Sequence, residues 1–193
     1  MRKSVLQLGK QELLVLAVTS PMDLHVCTEA QFDNYSEVVV NVIADDAKKA
    51  LAVEKMSVGD LVLVFSEEFW YRAAIVDIKD DKNVTVDLFD VAMSKVVTKA
   101  DLRKPTKEIC KFPILAVKAV LDFWFGKDEK EALEKYGEKI QDVLDIYSKV
   151  EAEVISVEGL ARVKIPSAEE KLIPKPAASL SRAELLKMRL KKP

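Results

Sequence analysis

The chain has 193 residues, of which 49% are hydrophobic and 32% are charged, and its 30 Lys and Arg against 32 Asp and Glu give a net charge of -2. Proteins whose main partner is nucleic acid usually carry a basic surplus, so this balance argues against that class. Two cysteines and one histidine lie far apart in the sequence, which predicts no metal site and no cofactor. The sequence shows neither a signal peptide nor a long apolar run, so we expect an intracellular protein without membrane contact.

The basic charge is concentrated near the C-terminal end. Of the 30 basic and 32 acidic residues, five basic residues and Glu184 lie in residues 181–193. The other 25 basic and 31 acidic residues give the rest of the chain a balance of -6. An acidic folded part is better suited to a basic partner segment than to phosphate.

Two strands and one helix are predicted in the first 51 residues. Residues 12–19 are mostly apolar, and residues 23–28 alternate apolar with polar, which is typical of strands. From residue 34 to residue 51, apolar side chains recur at three-and-four spacing. This spacing predicts an amphipathic helix, with Asp33 or Asn34 as its N-cap.

The most regular pattern lies between residues 57 and 103. Apolar residues alternate with period two in four short runs: Val58–Phe65, Trp70–Ile78, Val84–Phe89 and Lys95–Thr98. Polar, turn-prone residues separate these runs. Short β-branched or aromatic runs at this spacing predict a small antiparallel barrel.

A strand, a helix and a hairpin are predicted after this barrel. Residues 112–123 are nearly continuous in apolar character and predict a strand. Residues 127–149 carry one apolar stripe and predict a helix. Residues 150–157 and 160–165 alternate on either side of Glu158-Gly159, which indicates a β-hairpin.

The predicted fold class is mainly β with helices, or α+β. Five outer strands with a helix before the last two correspond to an oligomer-binding (OB) type barrel, and the strands of residues 57–103 form a second barrel. From Pro166 the sequence predicts a linker, followed by a short helix whose capping box opens at Ser181.

Four motifs at specific spacings carry a resemblance to a known family. They are Val58-Gly59-Asp60, Phe65, Trp70-Tyr71-Arg72-Ala73 and Phe89-Asp90. In these residues the chain resembles the extended Tudor domain, in which a Tudor barrel is inserted into a staphylococcal-nuclease-like barrel. The resemblance covers about residues 10–166. It implies the following division: nuclease-like OB part 10–33 and 106–166, linker helix 34–55, Tudor barrel 56–105, and C-terminal linker with short helix 167–193.

The resemblance also implies a function. Extended Tudor domains are scaffold modules that are common in the piRNA pathway of animal germ cells. For this chain we therefore expect a cytoplasmic location in perinuclear germ granules (nuage). Domains of this family recognise an arginine-rich peptide, often the N-terminal tail of a Piwi-type Argonaute. Many of them bind symmetrically dimethylated arginine in a cage of four aromatic residues and an Asn, and each cation–π contact contributes roughly 0.5 to 2 kcal/mol.

Only part of this cage is present at the matching positions. Phe65 and Tyr71 are aromatic, as the family requires, but Leu88 and Val91 stand where the family has the other two aromatics. Met93 replaces the Asn. Losing two rings would cost on the order of 1 to 4 kcal/mol, so we expect peptide binding that does not depend on arginine methylation.

The neighbouring residues suggest what replaces the cage. Leu88, Val91 and Met93 would form an apolar patch, and nearby loop carboxylates could form an acidic rim: Glu67, Glu68, Asp80, Asp81 and Asp87. Arg72 and Asp90 retain the family's pairing, which we interpret as a structural pair. An apolar floor with an acidic border suits an arginine-bearing peptide or a hydrophobic motif of another piRNA-pathway protein.

Other functions stay open from the sequence alone. The apolar patch could instead serve self-association, as a homodimer or in the assembly of germ granules. An OB-type barrel could bind RNA, but the basic groove that this requires is missing from the acidic folded part. A nuclease would need a carboxylate cluster that the outer strands do not show, so we expect no catalysis and no catalytic residues.

Overall fold

The structure is a computed structural model that describes residues 6–173, and within this range it contains ten strands and four α-helices. The strands are β1 (Gly9–Ser20), β2 (Asp23–Cys27), β3 (Leu61–Ser66), β4 (Phe69–Ile78), β5 (Asn83–Leu88), β6 (Met93–Thr98), β7 (Leu102–Arg103), β8 (Val117–Leu121), β9 (Lys149–Ser156) and β10 (Ala161–Lys164). The helices are α1 (Glu29–Asn34), α2 (Val40–Lys49), α3 (Glu129–Gln141) and α4 (Pro166–Leu172).

Five strands from the two ends of the described chain close into an outer barrel. Their order is β1-β2-β8-β10-β9. All its ladders are antiparallel except the parallel pairing of β8 with β10. The barrel interior is filled by apolar side chains from these strands, together with residues of α3 and α4.

The other five strands form a second sheet, the inserted sheet, between β2 and β8 in the chain. Its order is β6-β5-β4-β3-β7, and every pairing is antiparallel. It encloses its own apolar cluster, which includes Val62, Val64 and Val86. The predicted fold class, mainly β with a second barrel-like sheet inserted into an OB-type outer barrel, is confirmed. The division of the chain into numbered domain segments stays a prediction.

A long helical segment connects β2 to the inserted sheet. It comprises α1, one π-helical turn at Tyr35–Val39 and α2. Its buried residues contact both units, because they share one cluster with Leu14 of β1 and Leu63 of β3. The helical connection therefore packs between the outer barrel and the inserted sheet.

The predicted start of this helix at Asp33 or Asn34 is wrong. The helical segment begins at Glu29, because Thr28 is the N-cap and forms a capping box with Gln31. The amide of Gln31 donates to the Thr28 hydroxyl, and the Gln31 side chain accepts from the Thr28 amide.

The predicted strand over residues 112–123 is too long. Only Val117–Leu121 forms a strand, with 3₁₀ turns at Ile109–Lys111 and Asp122–Trp124. The helix predicted for residues 127–149 is also too long. The observed helix α3 begins after its cap Asp128 and ends at Gln141. Farther along, the Tyr147 amide donates to the Val15 carbonyl and returns the chain to the outer barrel.

The region predicted as a linker from Pro166 begins with a helix. Pro166 occupies the first turn of α4, where proline is tolerated because its missing N–H has no partner there. Ala168 and Leu172 are buried in the outer-barrel cluster. The short helix predicted from Ser181 lies outside the described residues. None of the helices in residues 6–173 is long and apolar enough to cross a membrane.

The turn between β3 and β4 has an unfavourable sequence. Ser66 pairs with Phe69, so Glu67 and Glu68 form a two-residue hairpin loop. Their φ angles are 51° and 71°, which is the left-handed region that this turn type requires and that Gly and Asn favour. Two glutamates here therefore store conformational strain.

Replacing Glu68 by Gly should relieve part of this strain. We expect Glu68→Gly to raise the free energy of unfolding by about 1 kcal/mol, since a non-glycine residue in this region costs about 1–2 kcal/mol. Urea denaturation measures the change. Glu138→Gly, at an exposed position inside α3, is the control and should lower stability by about 1 kcal/mol. Equal losses in both variants would contradict the prediction.

Candidate functional site

A buried ion pair lies where the inserted sheet meets the outer barrel. The Arg72 guanidinium donates from Nε to Asp90 Oδ2 at 2.8 Å and from Nη2 to Asp90 Oδ1 at 2.7 Å. Both residues are almost completely buried, at 2% and 1% exposure. This bidentate geometry is the strongest form of an arginine–carboxylate pair.

The remaining donors of Arg72 hold the segment that leads to β8. Nη1 donates to the carbonyls of Ile109 and Phe112, and Nη2 donates to the carbonyl of Pro113 at 2.7 Å. With the two bonds to Asp90, the five N–H groups of the guanidinium are all used. The Leu115 amide in turn donates to Asp90 Oδ1 at 2.9 Å. The ion pair thus joins the β5–β6 loop to residues 109–115.

Burial shapes the titration of the groups around this pair. Burial raises the pKa of Asp90, and the Arg72 guanidinium and the Leu115 amide oppose this increase. Burial also raises the pKa of the Tyr35 phenol, with a further contribution from the Asp90 carboxylate. The Phe89 ring lies 5.6 Å from the guanidinium carbon of Arg72. The predicted Arg72–Asp90 pair is therefore buried, and other residues of the chain provide its remaining hydrogen-bond partners.

The two predicted cage aromatics lie on neighbouring strands but on opposite faces. Phe65 pairs with Trp70, and Val64 pairs with Tyr71. Because successive side chains alternate along a strand, Phe65 and Tyr71 point to different sides of the inserted sheet. Phe65 is 44% exposed and its ring lies 5.2 Å from the Trp70 ring, whereas Tyr71 packs on the cluster inside the sheet.

The residues at the three remaining cage positions lie at one end of the inserted sheet, where β5 connects to β6. Leu88 is buried at 2% exposure, and Val91 packs against the same internal cluster as Tyr71. Met93 pairs with Leu88 and is 50% exposed. The structure therefore brings Tyr71, Leu88 and Val91 to one cluster, with Met93 at its edge.

A cleft of about 620 Å³ opens beside Leu88 and Met93, between the inserted sheet and the outer barrel. The inserted sheet provides residues 87–89 and 92–94, and the outer barrel provides β2, β8 and the β9–β10 turn. Ile114, Ala116 and Leu160 are among its apolar lining residues. Phe65, Tyr71 and Val91 are not part of its lining.

The outer-barrel wall of the cleft was missed by the sequence analysis. Asp23 and His25 of β2 line it together with Lys118 of β8. The Asp23 carboxylate is 3.2 Å from Lys118 Nζ and 3.9 Å from His25 Nδ1. The three residues meet because His25 pairs with Lys118 across the β2–β8 ladder, and no short sequence motif contains them.

The charged side chains have different partners on the outer-barrel wall and on the inserted-sheet wall of the cleft. Burial acts to raise the pKa of Asp23, but the Thr19 hydroxyl, Lys118 and His25 outweigh it, so that pKa is lowered. Burial lowers the pKa of His25 and so disfavours its protonation, which Asp23 partly opposes. On the other wall, Asp87 accepts a hydrogen bond from the Ser94 hydroxyl. Among the described residues, no cation lies within ion-pair distance of Asp87.

The predicted acidic rim is divided between two ends of the inserted sheet. Glu67 and Glu68 lie in the β3–β4 turn, at the same end as the β5–β6 loop, and Glu67 forms an ion pair with Lys95. Asp80 and Asp81 lie in the β4–β5 connection, at the opposite end of these strands. Of the five carboxylates, only Asp87 lines the cleft. Residues 6–173 contain no group of three or more His, Cys, Asp or Glu side chains arranged to hold a metal ion.

Comparison with known proteins supports the same architecture. A model of the Tudor domain family matches residues 10–123. A search of curated proteins gives no match.

Several solved structures share the fold. One is the human TDRD1 extended Tudor domain in complex with a symmetrically dimethylated peptide, with 16% identity, coverage of 85% of this chain and 84% of the other, and a TM-score of 0.71. The mouse TDRD1 domain TD3, with a MILI peptide containing dimethylarginine, has 18% identity, 85% and 86% coverage and a TM-score of 0.68. The Drosophila melanogaster Papi domain, with an arginine-methylated Piwi N-terminal peptide, has 19% identity, 93% and 96% coverage and a TM-score of 0.65.

The buried ion pair provides a direct test of how the two units are joined. Arg72→Lys keeps the charge but leaves at most three donors for five acceptors. We expect it to lower the free energy of unfolding by about 3 kcal/mol, because buried acceptors lose their partners. Urea denaturation measures the loss.

The control is Arg162→Lys, at the partly exposed pair with Asp122. Surface ion pairs contribute about 1 kcal/mol or less, so this variant should lose no more than that. Losses of equal size at the two positions would show that the burial of Arg72 has no special effect on stability.

Proposed function

Because the chain belongs to the Tudor domain family, we propose that it is a non-catalytic interaction module that binds an arginine-rich segment of a partner protein. The N-terminal tail of a Piwi-type Argonaute, or a similar segment of another piRNA-pathway protein, is the partner that we propose. Solved domains of the same fold are described in complexes with MILI and Piwi peptides. A location in perinuclear germ granules, as part of a scaffold, belongs to the same proposal.

The observation that carries the proposal is the cleft between the inserted sheet and the outer barrel. Its volume of about 620 Å³ is in the range of small-molecule ligand sites. Apolar residues line most of it, and the Asp87 carboxylate lies on one wall without a cationic partner among the described residues. An arginine side chain matches both features, because its methylene stem is apolar and its guanidinium binds carboxylates.

We further propose that binding does not require arginine methylation. A dimethylated guanidinium gains affinity from several ring faces around it. Here Leu88 and Val91 occupy two of the four aromatic positions, and Phe65 lies on the opposite face of the sheet from Tyr71. With no Asn at position 93, the amide that would accept from the guanidinium is also missing.

The first experiment compares one arginine-rich peptide in unmethylated and symmetrically dimethylated forms by calorimetric titration. We expect dissociation constants within about threefold of each other, because few ring faces are available to the methyl groups. A preference of tenfold or more for the methylated peptide that disappears in Phe65→Ala would contradict methylation-independent binding. A sedimentation run on the same sample separates peptide binding from self-association.

The cleft itself is tested by Asp87→Asn, which keeps a hydrogen-bond acceptor for Ser94 but removes the charge. We expect about tenfold weaker binding of the unmethylated peptide, since hydrogen bonds to charged groups contribute about 1.5–3 kcal/mol. Asp81→Asn is the matched control at the other end of the inserted sheet and should leave affinity unchanged. Equal affinities for the two variants would place the peptide outside the cleft.

Restoring family residues should change the specificity in a defined direction. The double variant Val91→Tyr with Met93→Asn adds one ring and the amide at the matching positions. We expect it to prefer the dimethylated peptide by roughly two- to thirtyfold, corresponding to one cation–π contact of about 0.5 to 2 kcal/mol. An unchanged ratio of the two dissociation constants would show that these positions do not face the arginine.

A further inference from the structure

The described part of the chain is strongly acidic. It contains 22 Lys and Arg and 31 Asp and Glu, because eight of the 30 basic residues and one of the 32 acidic residues of the chain lie outside residues 6–173. Its net charge is therefore -9. A field of this sign attracts basic segments and raises their local concentration near the surface.

The C-terminal segment, residues 174–193, has the opposite composition. It carries six basic residues and one acidic residue, Glu184. Apolar side chains alternate with these charges in the sequence LLKMRLKK from Leu185 to Lys192. The cleft combines the complementary features, since apolar residues line it and the Asp87 carboxylate lies on its wall.

The point at which the described chain ends is favourable for an intramolecular contact. Leu172, the last residue of α4, is buried in the same apolar cluster as Leu6 and Ala161, both of which line the cleft. An extended chain spans about 3.3–3.6 Å per residue. The eight residues between Ile173 and Arg182 therefore reach up to about 30 Å, which exceeds the radius of a domain of this size.

We propose that this C-terminal segment binds in the cleft of its own chain and competes there with partner peptides. Arg182 or Arg189 would take the position of the partner's arginine beside Asp87, and the leucines would cover the apolar lining. A short connection gives the segment an effective concentration in the millimolar range, so even a weak contact fills the cleft. The proposal rests on the proposed function, because it assigns regulation to the same site.

The test uses the full chain with the triple substitution Arg182→Gln, Lys187→Gln and Arg189→Gln. The matched control is Lys55→Gln, Lys130→Gln and Lys139→Gln, three exposed residues. Both proteins lose three positive charges, so a difference between them reports the position of those charges and not the net charge. The probe is an unmethylated Arg-Gly repeat peptide, titrated into each protein at about 150 mM salt, where surface charges are screened as in the cell.

We expect the C-terminal variant to bind the peptide about fivefold tighter than the control, because the fraction of open clefts sets the apparent affinity. Amide hydrogen exchange of residues 87–94 should also be faster in the variant than in the control. Equal affinities together with equal exchange rates would overturn the proposal.

Two further outcomes separate this proposal from the proposed function. If neither protein binds the probe but exchange at residues 87–94 still differs, the C-terminal contact holds and the proposed function fails. If the exchange difference disappears on dilution, the segment occupies the cleft of a second copy, and the intramolecular contact is overturned.

Discussion

The Arg72–Asp90 pair is the interaction on which the arrangement of the two units depends. Removing two charges from water is costly, and the pair tolerates burial only because every guanidinium N–H has an acceptor and Asp90 Oδ1 accepts twice. Those partners come from the β5–β6 loop of the inserted sheet and from residues 109–115, which lead to β8 of the outer barrel. Both segments also line the cleft. The same polar contacts that join the inserted sheet to the outer barrel therefore determine the shape of the candidate binding site.

Only some of the residues at the family's cage positions line the cleft. Tyr71 and Val91 support the apolar interior of the inserted sheet, and Phe65 covers Trp70 on its other face. Leu88 and Met93 alone extend from that set into the cleft. Aliphatic residues stand at two of the four aromatic positions, and the cleft that Leu88 and Met93 line carries the half-buried Asp87 carboxylate on its inserted-sheet wall.

Much of the fold could be predicted from the sequence, because apolar residues alternate in the runs that form β3 to β6, and three of the four pairings in the inserted sheet join strands that follow each other in the chain. The start of the long helix was predicted wrongly at Asp33 or Asn34, although the capping-box spacing of Thr28 and Gln31 is present in the sequence. The outer-barrel wall of the cleft could not be predicted from the sequence. Asp23, His25 and Lys118 meet only through the β2–β8 ladder, whose register depends on tertiary structure. The opposite orientations of Phe65 and Tyr71 likewise follow from the register of a two-residue turn that contains no glycine.

The position of the insertion has a consequence for how the chain folds. Leu24 pairs with Ala119, so about half of the chain must be gathered before β2 finds β8, and a loop of that length is slow to close. Apart from the pairing of β3 with β7, the inserted sheet is built from hairpins between adjacent strands, and such local contacts form early. Once formed, it replaces a long flexible loop by a compact unit whose two ends are held together by the pairing of β3 with β7 and by the bridge between Ala52 and Arg103. We therefore expect the outer barrel to close late in folding, after the formation of a sheet that contributes no strand to it.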